Sequence, residues 1–131
     1  MLTETRERFL KAIVGEIPAE RIAEIHLFPA IRQGHMETGV AVIAVEPETD
    51  SAYALDGRHV VYSASYRLTR KGPERGKWEV EVTHEANAPL PTVDVVVRGV
   101  QERAGEAIEP QRLSAPELRS LMSEPSWQSN P

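Results

Sequence analysis

Four side chains in the middle of the chain have types suited to a binding pocket: Tyr62, Tyr66, Trp78 and His84. All have even numbers, and residues two apart in an extended chain share a face. Two paired strands carrying them would gather three aromatic rings and an imidazole on one side. In that company His84 either lines a pocket for a small ligand or substrate, or sits at the margin of the core with one hydrogen bond. The other histidines, His26, His35 and His59, form no His-x-His or His-Glu-x-x-His spacing, so no metal site is expected. The absence of cysteine removes disulfides, thiolate catalysis and sulfur-ligated metals.

Glutamates recur at 79, 81 and 85, and acids at 46, 48 and 50. General acid–base work needs a carboxyl group withdrawn from water. Alternating glutamates on a strand instead describe a solvated face. No Gly-x-Ser-x-Gly turn marks a nucleophilic serine. No catalytic residue and no cofactor are expected.

Arg67, Arg70, Lys71, Arg75 and Lys77 crowd one short segment, with Glu74 the sole acid among them, in a chain of net charge −5. The segment Gly72-Pro73-Glu74-Arg75-Gly76 has the turn residues of a hairpin. It resembles a phosphate-cradling loop only in composition, since such a loop joins a strand to a helix. The cluster suits an anionic partner, or serves as charge that discourages edge-to-edge aggregation. The acidic remainder argues against general nucleic-acid binding.

The elements that position these groups can be read from periodicity. Val60, Tyr62, Ala64, Tyr66 and Leu68 alternate with polar residues, Val61 being the exception, and Trp78, Val80 and Val82 alternate with glutamates. These runs predict an antiparallel hairpin with one wet face. Its register must place even numbers opposite even numbers, leaving Leu68 opposite either Trp78 or Val80. Residues 40–45 are apolar throughout and predict a central strand covered on both faces. Phe9, Leu10, Ile13 and Ile17 mark a helix over 4–15, with Thr3 as its cap. Residues 18–31 read as a helical turn followed by an edge strand near 24–31. Within the loop 46–57, Tyr53, Ala54 and Leu55 are expected to tuck against the core. Residues 91–104 have both helical and strand character; the spacing of Val93, Val96, Val97 and Val100 favours a helix ending at Gly105. Ser114-Ala115-Pro116-Glu117 is a capping box, flanked by Leu113 and Leu118.

With 131 residues, the chain is expected to be a single domain over 1–122 with a flexible tail over 123–131. The fold expected is α+β: a three- to four-stranded antiparallel meander through 38–46, 58–70 and 77–86, with helices 4–15 and 91–104 on one face. No run of about 18 apolar residues exists to span a bilayer, so no membrane contact is expected. Charges at Glu4, Arg6, Glu7 and Arg8 replace an apolar signal region, which points to the cytoplasm. The absence of catalytic constellations points to a non-catalytic protein-interaction module. A strand needing cover on both faces, in a chain with few helices, points to a homodimer. The alternatives are a ligand binder or enzyme using the Tyr62, Tyr66, Trp78 and His84 pocket, and an anion contact through the basic tip.

Overall fold

The computed structural model describes residues 3–48, 58–86, 91–105 and 108–128. Helix α1 spans Glu4–Glu16; Thr3 caps it by accepting the Arg6 amide, and Glu4 and Glu7 sit in the first turn, where the helix dipole favours anions. Pro18 then precedes a single 3-10 turn over Ala19–Arg21. Strands β1 (Ile22–Leu27), β2 (Ile31–Gln33), β3 (Met36–Val45), β4 (Val60–Thr69) and β5 (Trp78–His84) follow, then helix α2 (Val93–Ala104), strand β6 (Gln111–Ser114), and helices α3 (Ala115–Met122) and α4 (Pro125–Gln128).

The fold is α+β, and every strand pairing is antiparallel. The sheet has six strands, not three or four, in the order β5-β4-β3-β1-β6, with β2 paired to β3. The expected meander is its core. Leu68 faces Trp78, one of the two registers that the alternation allows. The stretch near 24–31 does not lie at an edge: β1 is paired on both sides, by β3 and β6.

Helices cover both faces, a second departure from expectation. On one face, α1 and α3 bury Phe9, Leu10, Ile13 and Leu118 against Ile25, Leu27, Ala41, Ile43 and Ala64. On the other, α2 lays Val100, with Val93, Val96 and Val97, over Val42, Val61 and Phe28. The cause lies in β3, whose apolar residues point both ways, so each face of the sheet carries a hydrophobic surface that must leave water. Val61, the one apolar residue on the wet side of the alternation, belongs to this second core. One chain thus covers β3 without help, and the need for a second copy to cover it disappears.

Helix α2 is capped by Thr92 and ends at Gly105, whose φ of 71° suits a residue without a side chain. The capping box at Ser114 is formed in both directions. The segment from 123, expected to be a flexible tail, winds into α4, and Trp127 packs on the α1-side core beneath the Lys11 ammonium. Tyr53, Ala54 and Leu55 lie outside the described residues. Of the core expected from the sequence, Val80 stands 40 % exposed.

Candidate functional site

Strands β4 and β5 bring Tyr62, Tyr66, Trp78 and His84 to one face of the sheet, the side that α1 covers. They form two separate stacks. The Tyr66 and Trp78 rings lie 5.0 Å apart at 18°. Tyr62 and His84, directly opposite each other in register, lie 4.9 Å apart at 25°. Phe9 meets Tyr66 edge-on at 4.8 Å, and the Arg8 guanidinium sits 4.1 Å from the Trp78 ring. Ala64, Val80 and Val82 separate the stacks, so the four residues form a row along the hairpin. The spacing Glu81-x-x-His84 would gather two metal ligands on a helix, but on β5 the two side chains leave opposite faces.

The Tyr66 ring depends on a glycine. Gly39 faces Tyr66 across β3 and β4, and a Cβ at Gly39 would lie 2.0 Å from the ring. Tyr66 can therefore lie flat over the neighbouring strand only because that position has no side chain.

Beyond Gly39, on the same face, lies a group that the sequence reading did not single out. Glu37 is 2 % exposed. Its carboxylate accepts from the Tyr66 hydroxyl at 2.7 Å, from Arg70 at 2.8 Å and from Arg32 at 3.0 Å. Burial pushes the Glu37 carboxyl upward, but these bonds and the Arg32 charge outweigh it, holding the group below the ordinary carboxylate range. Burial, reinforced by the anionic partner, holds the Tyr66 phenol well above its ordinary value. At neutral pH Glu37 is an anion and Tyr66 a fixed donor. Neither is poised to exchange a proton, so the pair ties strands together. Period-two alternation carried back from Gly39 through Thr38 would have placed Glu37 on this face, but the strand was expected to start only near 38.

The basic cluster is partly neutralised. Arg70 turns inward to Glu37, and Lys77 lies 3.4 Å from Glu79. Arg67 faces Glu79 across the ladder. Lys71 and Arg75 are exposed at the turn. The Arg70 amide donates to the His35 carbonyl at 2.7 Å, so Arg32 and His35 share this end of the sheet with the tip.

Elsewhere His26 lies 3.1 Å from Glu24, and His59 lies 3.4 Å from Glu46. Among the described residues no group of three or more His, Asp or Glu side chains is arranged to hold a metal. An apolar cavity of about 170 Å³ lies under the C-terminal end of α2, between Phe28, Val40 and Val100.

The feature least complete within one chain is β5. It lies at the end of the strand order, with β4 its only strand partner among the described residues, and its apolar row of Trp78, Val80 and Val82 is only partly covered. Fold and surface together define an α+β domain in which the longest strand with an unpaired flank among the described residues is β5. No protein-family model, curated protein or solved structure matches this chain.

Proposed function

We propose that the protein is a non-catalytic interaction module that acts in the cytoplasm as a homodimer, with the outer edge of β5 as its contact. One observation carries this reading: a seven-residue strand that among the described residues is paired on one flank alone, with an apolar row half open. Strand addition at such an edge supplies main-chain hydrogen bonds and covers the open row together. The fixed protonation of Glu37 and Tyr66 supports binding over acid–base catalysis at that cluster. A chain without cysteine needs no oxidising compartment, and no described helix is long and apolar enough to cross a membrane. Sedimentation equilibrium across micromolar to millimolar concentration tests the reading. The expected mass is twice 14.6 kDa, and a single-chain mass throughout would overturn it.

A second reading, contact with an anionic partner, draws support from Lys71 and Arg75 exposed at the hairpin tip beside Arg32. Salt-sensitive binding of a labelled oligonucleotide or polyphosphate, lost in Lys71→Ala/Arg75→Ala, tests it. No binding at low salt would remove it.

A further inference from the structure

We propose that two copies of the chain pair through β5 in one register, antiparallel about a two-fold axis at Glu81. In that register Val80 lies opposite the partner's Val82, Trp78 opposite the partner's His84, and Lys77 opposite the partner's Glu85. This rests on the homodimer reading above and deepens it.

The backbone sets the first condition. The Thr69 amide donates to the Lys77 carbonyl, and the Glu85 amide donates to the Val61 carbonyl. Odd-numbered residues of β5 therefore direct their N–H and C=O groups toward β4. By the alternation of an antiparallel ladder, Trp78, Val80, Val82 and His84 direct theirs away from the sheet. A new strand must place its own hydrogen-bonding residues opposite these even positions. In a pairing of two identical strands, even must then face even.

The side chains give the same condition independently. A two-fold axis perpendicular to the sheet keeps the α1-side face on one side in both copies, and Trp78, Val80 and Val82 point to that face. Only registers that pair even with even let these apolar rows meet. Backbone and side chains thus admit the same few registers.

Charge selects among them. Shifting the axis to Val80 sets Glu79 against the partner's Glu81, twice by symmetry. Shifting it to Val82 sets Glu79 against the partner's Glu85, again twice. Moving it to Glu79 leaves only residues 78–80 of each strand overlapped. With the axis at Glu81 all seven residues of β5 overlap. Glu79 meets the partner's Thr83, and Lys77 meets the partner's Glu85 at both ends. One like-charge pair remains, Glu81 with the partner's Glu81. Facing opposite charges favour a pairing and facing like charges oppose it, so this register combines the longest ladder with the fewest repulsions.

The test uses the distance between Lys77 and Glu85. Within one chain they stand at opposite ends of the strand, roughly 26 Å apart at about 3.3 Å per residue, too far to interact. Lys77→Glu should weaken dimerisation by roughly tenfold or more in sedimentation equilibrium. Adding Glu85→Lys to the same chain should restore it to within about threefold of the original. Glu81→Gln, which removes the repulsion at the axis, should tighten it. Val80→Pro deletes an outward-facing amide that β4 does not use; circular dichroism should show a folded chain, and its dimer should be lost. A dimer lost in Val80→Pro but not rescued by the exchanged charges would overturn the register while leaving the edge in use. A dimer indifferent to all four variants would place the contact elsewhere and overturn the inference. A wild-type chain that stays monomeric would overturn the homodimer reading itself.

Discussion

The five-strand path of the sheet ends in β5 and β6, and these two strands are finished in opposite ways. β6 is four residues long and runs directly into α3. Its Leu113 is 3 % exposed, and Arg112 pairs with Glu24 on β1. The Ser114 amide is taken by the Glu117 side chain. A partner strand would find few free groups and little length there. β5 is longer and carries an apolar row with Val80 in the open. Short or covered edges are the usual protection against unwanted strand pairing. Here that protection was applied to one edge only, while the other has alternating charges, which penalise most registers without forbidding all. Sequestration and selective repulsion therefore solve the edge problem in different ways within one sheet.

The largest expected effect falls on the closed edge. Leu113→Ala should cost about 3 kcal/mol in urea denaturation, because a fully packed leucine leaves a cavity. A loss no greater than that of an exposed residue would mean β6 is as open as β5. Next is the inboard support of the open edge. Among the described strands β5 pairs with β4 alone, and Tyr66 stacks on Trp78 while lying over Gly39. Gly39→Ala should cost roughly 2–3 kcal/mol, because the ring must move, and should weaken amide protection along β5 in hydrogen exchange. Unchanged protection would sever that link.

Glu37→Gln should cost about 2 kcal/mol at neutral pH through lost charge-assisted bonds. Because the folded carboxyl titrates below the usual 4.5, the unfolded chain takes up its proton first as the pH falls. The Glu37 contribution is complete above that value and is lost as the pH falls through the folded one. The variant should accordingly show a shallower acid limb in a stability–pH series; identical limbs would assign acid sensitivity to other groups. Smallest of all, Val80→Ala should shift the monomer's stability by less than about 1 kcal/mol, measured at dilution where dimers are absent.

The hairpin, the doubly covered strand β3, the helix over 93–104 and the Ser114 capping box were legible because each is announced by local chemistry: alternation, an unbroken apolar run, helical spacing, or a cap. β2 and β6, at three and four residues, are too short for any period to show. Their membership is decided by partners far along the chain. Spacing revealed which stripe of α2 is apolar, yet not which face of the sheet it would reach. The clue was Val61, whose break in the alternation marks the second core. The alternation implied that Tyr62, Tyr66, Trp78 and His84 share a face, and the register of β4 and β5 gives them one. Their separation into two stacks depends on Gly39 and Phe9, which lie on other elements.

The position of β1 also bears on how the chain is made. It pairs with β3 within a short stretch of sequence, but its other flank waits for β6, and the Glu24–Arg112 contact spans 88 residues. At ribosomal rates of about 5–20 residues per second, that interval is roughly 4–18 s. During it the nascent sheet leaves one flank of β1 unsealed, as well as the outer flank of β5 once that strand is made. The arrival of β6 seals the flank of β1 and leaves β5, among the described residues, as the longest strand on which the sheet can grow.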